Sequence, residues 1–118
     1  MSVWHQEINN AAGIWLVGAR GRLDQGLNPQ LESTLLQLFA DGHYVLIVDL
    51  EETTYINSGG LRILVSAWRK ARQNQGNLIL CNLNARLQEI FSMVGFDKVF
   101  KIYPLRDDAL QAVKKAIA

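Results

Sequence analysis

From Val45 to Leu50 the chain is apolar at almost every position rather than at alternate ones, the pattern of a strand whose two faces are both covered. The stretch Tyr44 to Leu50 is therefore expected to run through the centre of a sheet. Leu78 to Cys81 repeats the pattern and predicts a second buried strand. Upstream, Val3 to Ile8 and Ile14 to Ala19 read as two strands joined by a turn around Asn9, Asn10 and Gly13, an antiparallel hairpin. Gly21 to Leu27 reads as irregular, and Val99 to Tyr103 as a short strand.

Between these runs the apolar spacing changes to three and four, which predicts helices. In the first, Asn28 is expected as the cap and Pro29 as the first helical residue, followed by Leu31, Leu35, Leu38 and Phe39 and ended by Asp41-Gly42. In the second, Leu61, Leu64, Val65 and Trp68 form a stripe, with Arg62, Ser66, Arg69 and Gln73 on other faces and an end near Gly76. The third carries Leu87, Ile90, Phe91 and Val94, with Gly95 placed for a left-handed C-terminal cap. The last follows Pro104, turns Leu110, Val113 and Ile117 inward, and matches its dipole with Asp107 and Asp108 at the start and Lys114 and Lys115 at the end.

An initial hairpin followed by alternating strands and helices predicts an α/β fold: a mixed β-sheet, parallel in its later part, with about four helices. At 118 residues and 49% hydrophobic content the chain is long enough for one cored domain, taken as 1–118, and it shows no repeat or linker.

Charge narrows the function classes. A net charge of +1 and a sequence pI near 7.9 provide no global field for nucleic acid or an anionic membrane. Arg69, Lys70 and Arg72 cluster on the polar side of the second helix and read as a solvated face. The single cysteine, Cys81, excludes an internal disulfide and reads as a packed small hydrophobe. With only His5 and His43 beside it, no structural zinc site is expected, and no cofactor or other metal. No apolar run approaches the length that spans a bilayer, and the first residues lack a leader pattern, so a cytoplasmic location without membrane insertion is expected.

The chemistry concentrates at Asn57-Ser58-Gly59-Gly60, between the central apolar run and the helix that Leu61 opens. A serine there stands at an electropositive helix start with unpartnered N–H groups, where it can cap the helix and where a phosphate would find donors. The two glycines keep the turn open. The carboxyl ends of strands in open α/β sheets are also where ligands and partners dock, which is where the Glu51 to Gly60 loop falls.

A hydrolytic role for Ser58 is disfavoured, because the nucleophile-elbow pattern Gly-x-Ser-x-Gly fails at Ile56 and His43 lies before the central strand, at its far end. The glycines match neither a dinucleotide fingerprint nor a P-loop. Asp24, Asp49, Glu51 and Glu52 could approach the loop, but read first as strand-end and loop carboxylates exposed to water.

The stretch from Val45 through Asp49-Leu50 to Tyr55-Ile56-Asn57-Ser58-Gly59-Gly60-Leu61 resembles the signature of STAS domains, typified by bacterial anti-sigma factor antagonists. Gly21-Arg22-Leu23-Asp24, Gly76 to Leu80 and Val94 to Phe100 match the same family in the expected order. The resemblance implies a non-catalytic single STAS-like domain whose serine at position 58 is phosphorylated by an anti-sigma factor that is also a serine kinase. The unphosphorylated form would bind that kinase and release a sigma factor, and a PP2C-type phosphatase would reset it. The implied docking surface comprises Asp24, Asn57, Ser58, Gly59, Gly60, Leu61 and Arg62. Asn57 stands where the family often has aspartate, and Gly59 where a second hydroxyl is common. The same fold also serves as a constitutive cytoplasmic subunit of a membrane phospholipid transport complex, the alternative reading. Homodimerisation through an exposed face or the hairpin edge is left open by the pattern.

Overall fold

The computed structural model describes residues 1–8 and 13–117. Six strands and four α-helices follow the order β1 (Ser2–Glu7), β2 (Ile14–Leu23), α1 (Asn28–Ala40), β3 (Val45–Asp49), β4 (Thr53–Ile56), α2 (Ser58–Gln73), β5 (Asn77–Cys81), α3 (Ala85–Met93), a 3-10 turn (Phe96–Lys98), β6 (Ile102–Tyr103) and α4 (Arg106–Ile117). The hairpin β1–β2 is antiparallel, and the pairings β2–β3, β3–β5 and β5–β6 are parallel, so the expected mixed sheet is present with order β1-β2-β3-β5-β6. Asn9 and Asn10 of the expected hairpin turn lie outside the described residues.

The apolar runs divide between the two faces as the pleat requires. Leu46 and Val48 of β3 and Leu78 and Leu80 of β5 join the larger core with Leu31, Leu35 and Leu38 of α1, Leu61 and Leu64 of α2, and Leu87 and Phe91 of α3. Ile47, Ile79 and Cys81 face the other way, against Ile14, Leu16 and the Ala109 and Val113 side of α4. The central strands are thus covered on both sides, which is why they read as continuous rather than alternating.

Three expectations are corrected here. Gly21 to Leu23 is strand, not irregular chain: β2 continues past β3 and pairs with β4, a strand inside the expected Glu51 to Gly60 loop. The register slips by one residue between Gly21 and Arg22, with Thr54 the extra residue on β4, and Gly21 beside the slip has φ +110. Asn28 does not cap α1. Leu27 holds that position, and Asn28 enters the first turn with its amide on the Asp24 carbonyl. In α4, Ile117 is exposed, while Val113 and the partly buried Leu110 face inward as expected, with Ala109 beside them. Gly95 adopts the expected left-handed conformation at φ 76.

Candidate functional site

α2 begins where β4 ends, at the carboxyl edge of the sheet. Its cap is Asn57, not Ser58: the backbone there is extended, and the side-chain Oδ1 accepts the Gly60 N–H at 2.9 Å. The sequence reading that allowed Ser58 to cap is corrected accordingly. Ser58 is the first helical residue and exposed, so its hydroxyl is released from capping. The Ser58 and Gly59 amides are the remaining free donors of this turn, with no acceptor among the described residues.

Asn57 is itself held from below. Its amide donates to the Leu23 carbonyl at 3.0 Å, and its Oδ1 accepts a second hydrogen bond from Asn28 Nδ2 at 2.9 Å. The start of α1 and the end of β2 thereby fix the cap from which Ser58 projects. A side chain at Gly60 would press its Cβ to 2.7 Å from Ile56 Cγ1, so glycine is what lets α2 close on β4. At Gly59 the approach is looser, 3.1 Å to Asn28 Nδ2 and 3.3 Å to Asn57 Oδ1.

Beside Ser58 runs a groove of about 320 Å³ lined by Ser58, Leu61, Arg62, Val65, Arg69 and, across it, Val94 and Phe96. Its walls combine exposed cations with apolar surface, Val94 being 50% exposed. Neither Arg62 nor Arg69 forms an ion pair among the described residues. The solvated-face reading of Arg69 holds for exposure, but its side chain also lines this groove.

Of the residues the sequence reading assembled, the groove gathers Ser58, Leu61 and Arg62, while Asn57, Gly59 and Gly60 form the turn behind them. Asp24 stands apart from the groove lining. Its carbonyl accepts the Leu27 and Asn28 amides, and its carboxylate accepts the Gly26 amide at 3.1 Å and Arg22 Nε at 3.4 Å. Sequence reasoning missed Val65, Val94 and Phe96, which look like ordinary helix or loop apolar positions. It also missed Tyr55, whose ring lies under the guanidinium of Arg22 at 4.4 Å and near that of Arg86 at 5.4 Å.

The other carboxylates divide sharply. Glu51 and Glu52 are exposed, Glu52 pairing with Arg20 at 3.1 Å. Asp49, expected to face water, is buried and takes four donors: Arg106 Nε and Nη2 on Oδ2, and the Glu51 amide and Asn82 Nδ2 on Oδ1. His43 precedes β3 and packs against Trp15, the ring centroids 4.8 Å apart and the planes tilted by 32°, at the sheet edge opposite the carboxyl ends where α2 begins. Among the described residues no group of three or more His, Cys, Asp or Glu is placed to hold a metal, and no helix is long and apolar enough to cross a membrane. Cys81 is buried, and burial, reinforced by the negative charge of Asp49, pushes its thiol up to about 12.

The family model described as STAS domain matches residues 5–109. BtrV of Bordetella bronchiseptica, which carries the name of an anti-sigma factor antagonist, is 31% identical over 105 residues, covering 89% of this chain and 90% of its own. The anti-sigma-B factor antagonist of Listeria monocytogenes is 32% identical over 82 residues, 70% of this chain and 72% of its own. The crystal structure of an anti-sigma factor antagonist from Mycobacterium paratuberculosis superposes with a TM-score of 0.82 at 28% identity, covering 96% of this chain and 95% of that one.

Proposed function

The chain belongs to the STAS domain family, and on that premise we propose that it is an anti-sigma factor antagonist working by phosphorylation-controlled partner switching. In its bare form it binds an anti-sigma factor that is also a serine kinase, and so frees a sigma factor. Phosphorylation of Ser58 ends the complex, and a PP2C-type phosphatase restores it. The names of its relatives support the general role.

One observation carries the reading to Ser58. Asn57 takes over the cap, so Ser58 projects as an exposed hydroxyl from a hydrogen-bonded turn, beside a groove with apolar walls and two arginines that form no ion pair among the described residues. The chain supplies no catalytic group in this scheme. The kinase transfers the γ-phosphoryl of ATP: the Ser58 Oγ–P bond forms, ADP leaves, and the hydroxyl proton passes to the kinase's own base. The product adds about 1.5 to 2 negative charges at neutral pH, which the free Ser58 and Gly59 amides and the helix dipole tolerate. The cost therefore falls on the complex, through charge and desolvation at the partner surface.

The test is incubation of the purified chain with its cognate anti-sigma kinase and ATP, followed by peptide mass spectrometry and a binding assay. Phosphate on Ser58 with loss of binding is expected, and Ser58→Ala should stay bound. A Ser58→Ala protein that still loses its partner on incubation with ATP would overturn the assignment. Absence of phosphate together with stable capture of a membrane transporter would favour the constitutive subunit.

A further inference from the structure

Ser58 and Arg62 are four residues apart on α2, so they lie one turn from each other on one exposed strip, and both line the same groove. Helical side chains lean toward the N-terminus, the direction in which Ser58 lies from Arg62. An acidic group N-terminal to a base at this spacing is also the favoured order for a helical ion pair. Arg62 is exposed and has no carboxylate partner among the described residues, so no existing bond must break before it serves a new anion. Arg69 lies eleven residues beyond Ser58, roughly 16 Å along the helix axis. It extends the positive field of the groove without reaching the hydroxyl.

We infer that Arg62 holds the phosphate of phosphorylated Ser58, and that this internal bond removes from the groove the arginine an acidic partner segment would otherwise use. The inference rests on the reading that Ser58 is the modified residue. A guanidinium offers several N–H donors to phosphate oxygens, a charge-assisted contact stronger than a neutral hydrogen bond. The bare groove presents two cations, Arg62 and Arg69, against Leu61, Val65, Val94 and Phe96. With a phosphate of about 1.5 to 2 negative charges beside Arg62, those cations are nearly cancelled. The modification then switches off an attraction as well as adding a repulsion. Neighbouring charges do not compete. Asp24 is occupied by Arg22 and the Gly26 amide, Arg86 lies by the Tyr55 ring, and Asp97 and Lys98 are exposed on the 3-10 turn outside the groove lining.

The experiment needs no kinase. The full chain is produced with phosphoserine encoded at position 58, and the phosphate is titrated by 31P NMR in the otherwise native protein, Arg62→Gln, Arg62→Lys and Arg69→Gln, with thermal unfolding as a check on folding. The phosphate of the native-sequence protein should titrate below that of a short phosphoserine peptide. Arg62→Gln should raise its midpoint by about 0.2 to 0.4 of a pH unit, Arg62→Lys should recover part of that, and Arg69→Gln should move it less. An unchanged midpoint in Arg62→Gln, or a larger shift in Arg69→Gln, overturns the inference. The regulatory reading fails separately, if the Ser58 peptide from protein isolated from its own cells never carries phosphate.

Discussion

Arg106, the first residue of α4, bonds the buried Oδ2 of Asp49 at the end of β3 through both Nε and Nη2, each at 2.9 Å. The carboxylate is 1% exposed and the guanidinium side chain 43%. The pair anchors α4, the helix packed on that face of the sheet among the described residues, to the central strand. Removing the arginine leaves a buried charge with two of its four donors. Arg106→Ala should therefore lower the unfolding free energy by about 1 to 3 kcal/mol, below the range for fully buried pairs because water reaches the guanidinium side. Arg106→Lys should restore only part, since an ammonium cannot reproduce two fixed donors on one oxygen. Urea denaturation near neutral pH measures both, and an unchanged midpoint for Arg106→Ala would show that Asn82 and the Glu51 amide suffice.

Gly60 and Gly59 sit in one helical turn but should respond oppositely to a methyl group. Helix propensity favours alanine over glycine by about 1 kcal/mol at either site. At Gly60 the added Cβ meets Ile56 Cγ1 at 2.7 Å and Asn28 Oδ1 at 3.1 Å, both in well-packed surroundings. Overpacking costs of about 1 to 3 kcal/mol outweigh the propensity gain there, so Gly60→Ala should destabilise. Gly59→Ala and Gly59→Ser, with contacts no closer than 3.1 Å, should fold with stability within about 1 kcal/mol of the native chain. Thermal unfolding of the three variants decides it, and equal melting points for Gly60→Ala and the native chain would refute the close approach.

The strands and helices with long periodic stretches were legible because burial leaves its period in the sequence: β3 and β5 as continuous runs, α1 and α2 as stripes, Gly95 as a stop. β4 was not. Its four residues sit between exposed glutamates and the Asn57 turn, and it exists because β2 runs on past β3 to receive it, a pairing across about thirty residues that no local pattern records. Asn28 misled for the same reason. Asn followed by Pro is a sound cap signal, yet a tertiary bond to Asn57 and the Asp24 carbonyl fixed it one position further in. The serine turn itself was visible, but that Asn57 rather than Ser58 caps α2 depends on side-chain geometry. The Asp49–Arg106 bond joins residues 57 apart and had no signal at all.

The Asn28–Asn57 bond makes a further prediction about how firmly Ser58 is presented. Asn57→Ala removes the cap and leaves Asn28 without its acceptor, and should cost about 1 to 2 kcal/mol. Asn57→Asp keeps an oxygen for both the Gly60 amide and Asn28 Nδ2 and adds a negative charge at the helix start, worth about 0.5 kcal/mol of added stability. Denaturant titration of both variants checks the pair. A stability loss in Asn57→Asp equal to that in Asn57→Ala would mean that Asn57 Nδ2, not Oδ1, makes the essential contact.

With its thiol pushed up to about 12 by burial and by the Asp49 charge, Cys81 should resist an aromatic disulfide reagent at pH 8 in the folded protein and react fully once denatured. The linkage has a definite sign. The unfolded thiol ionises near 8.5 while the folded one stays protonated, so this group's contribution to stability is intact below that pH and declines as pH rises from about 9 toward 12. Cys81→Ala should flatten that alkaline decline while costing packing at neutral pH. Rapid labelling of the native protein would contradict the burial.

Ser58→Asp separates two ways a negative charge at this position could end a complex. If phosphorylation worked by loosening the turn, a charge there would lower stability and binding together. The first position of α2 argues otherwise: the residue is exposed, the cap belongs to Asn57, and the Ser58 and Gly59 amides have no acceptor among the described residues. A carboxylate should therefore stabilise the helix start by about 0.3 to 1 kcal/mol. Yet the same charge changes the groove beside Arg62, the surface proposed above for the partner. The expected result is a higher unfolding midpoint with at least tenfold weaker binding to the anti-sigma kinase, while Ser58→Ala keeps its affinity. Stability rising as affinity falls would place the switch in surface charge on an unchanged fold, and a parallel fall in both would place it in local melting of α2.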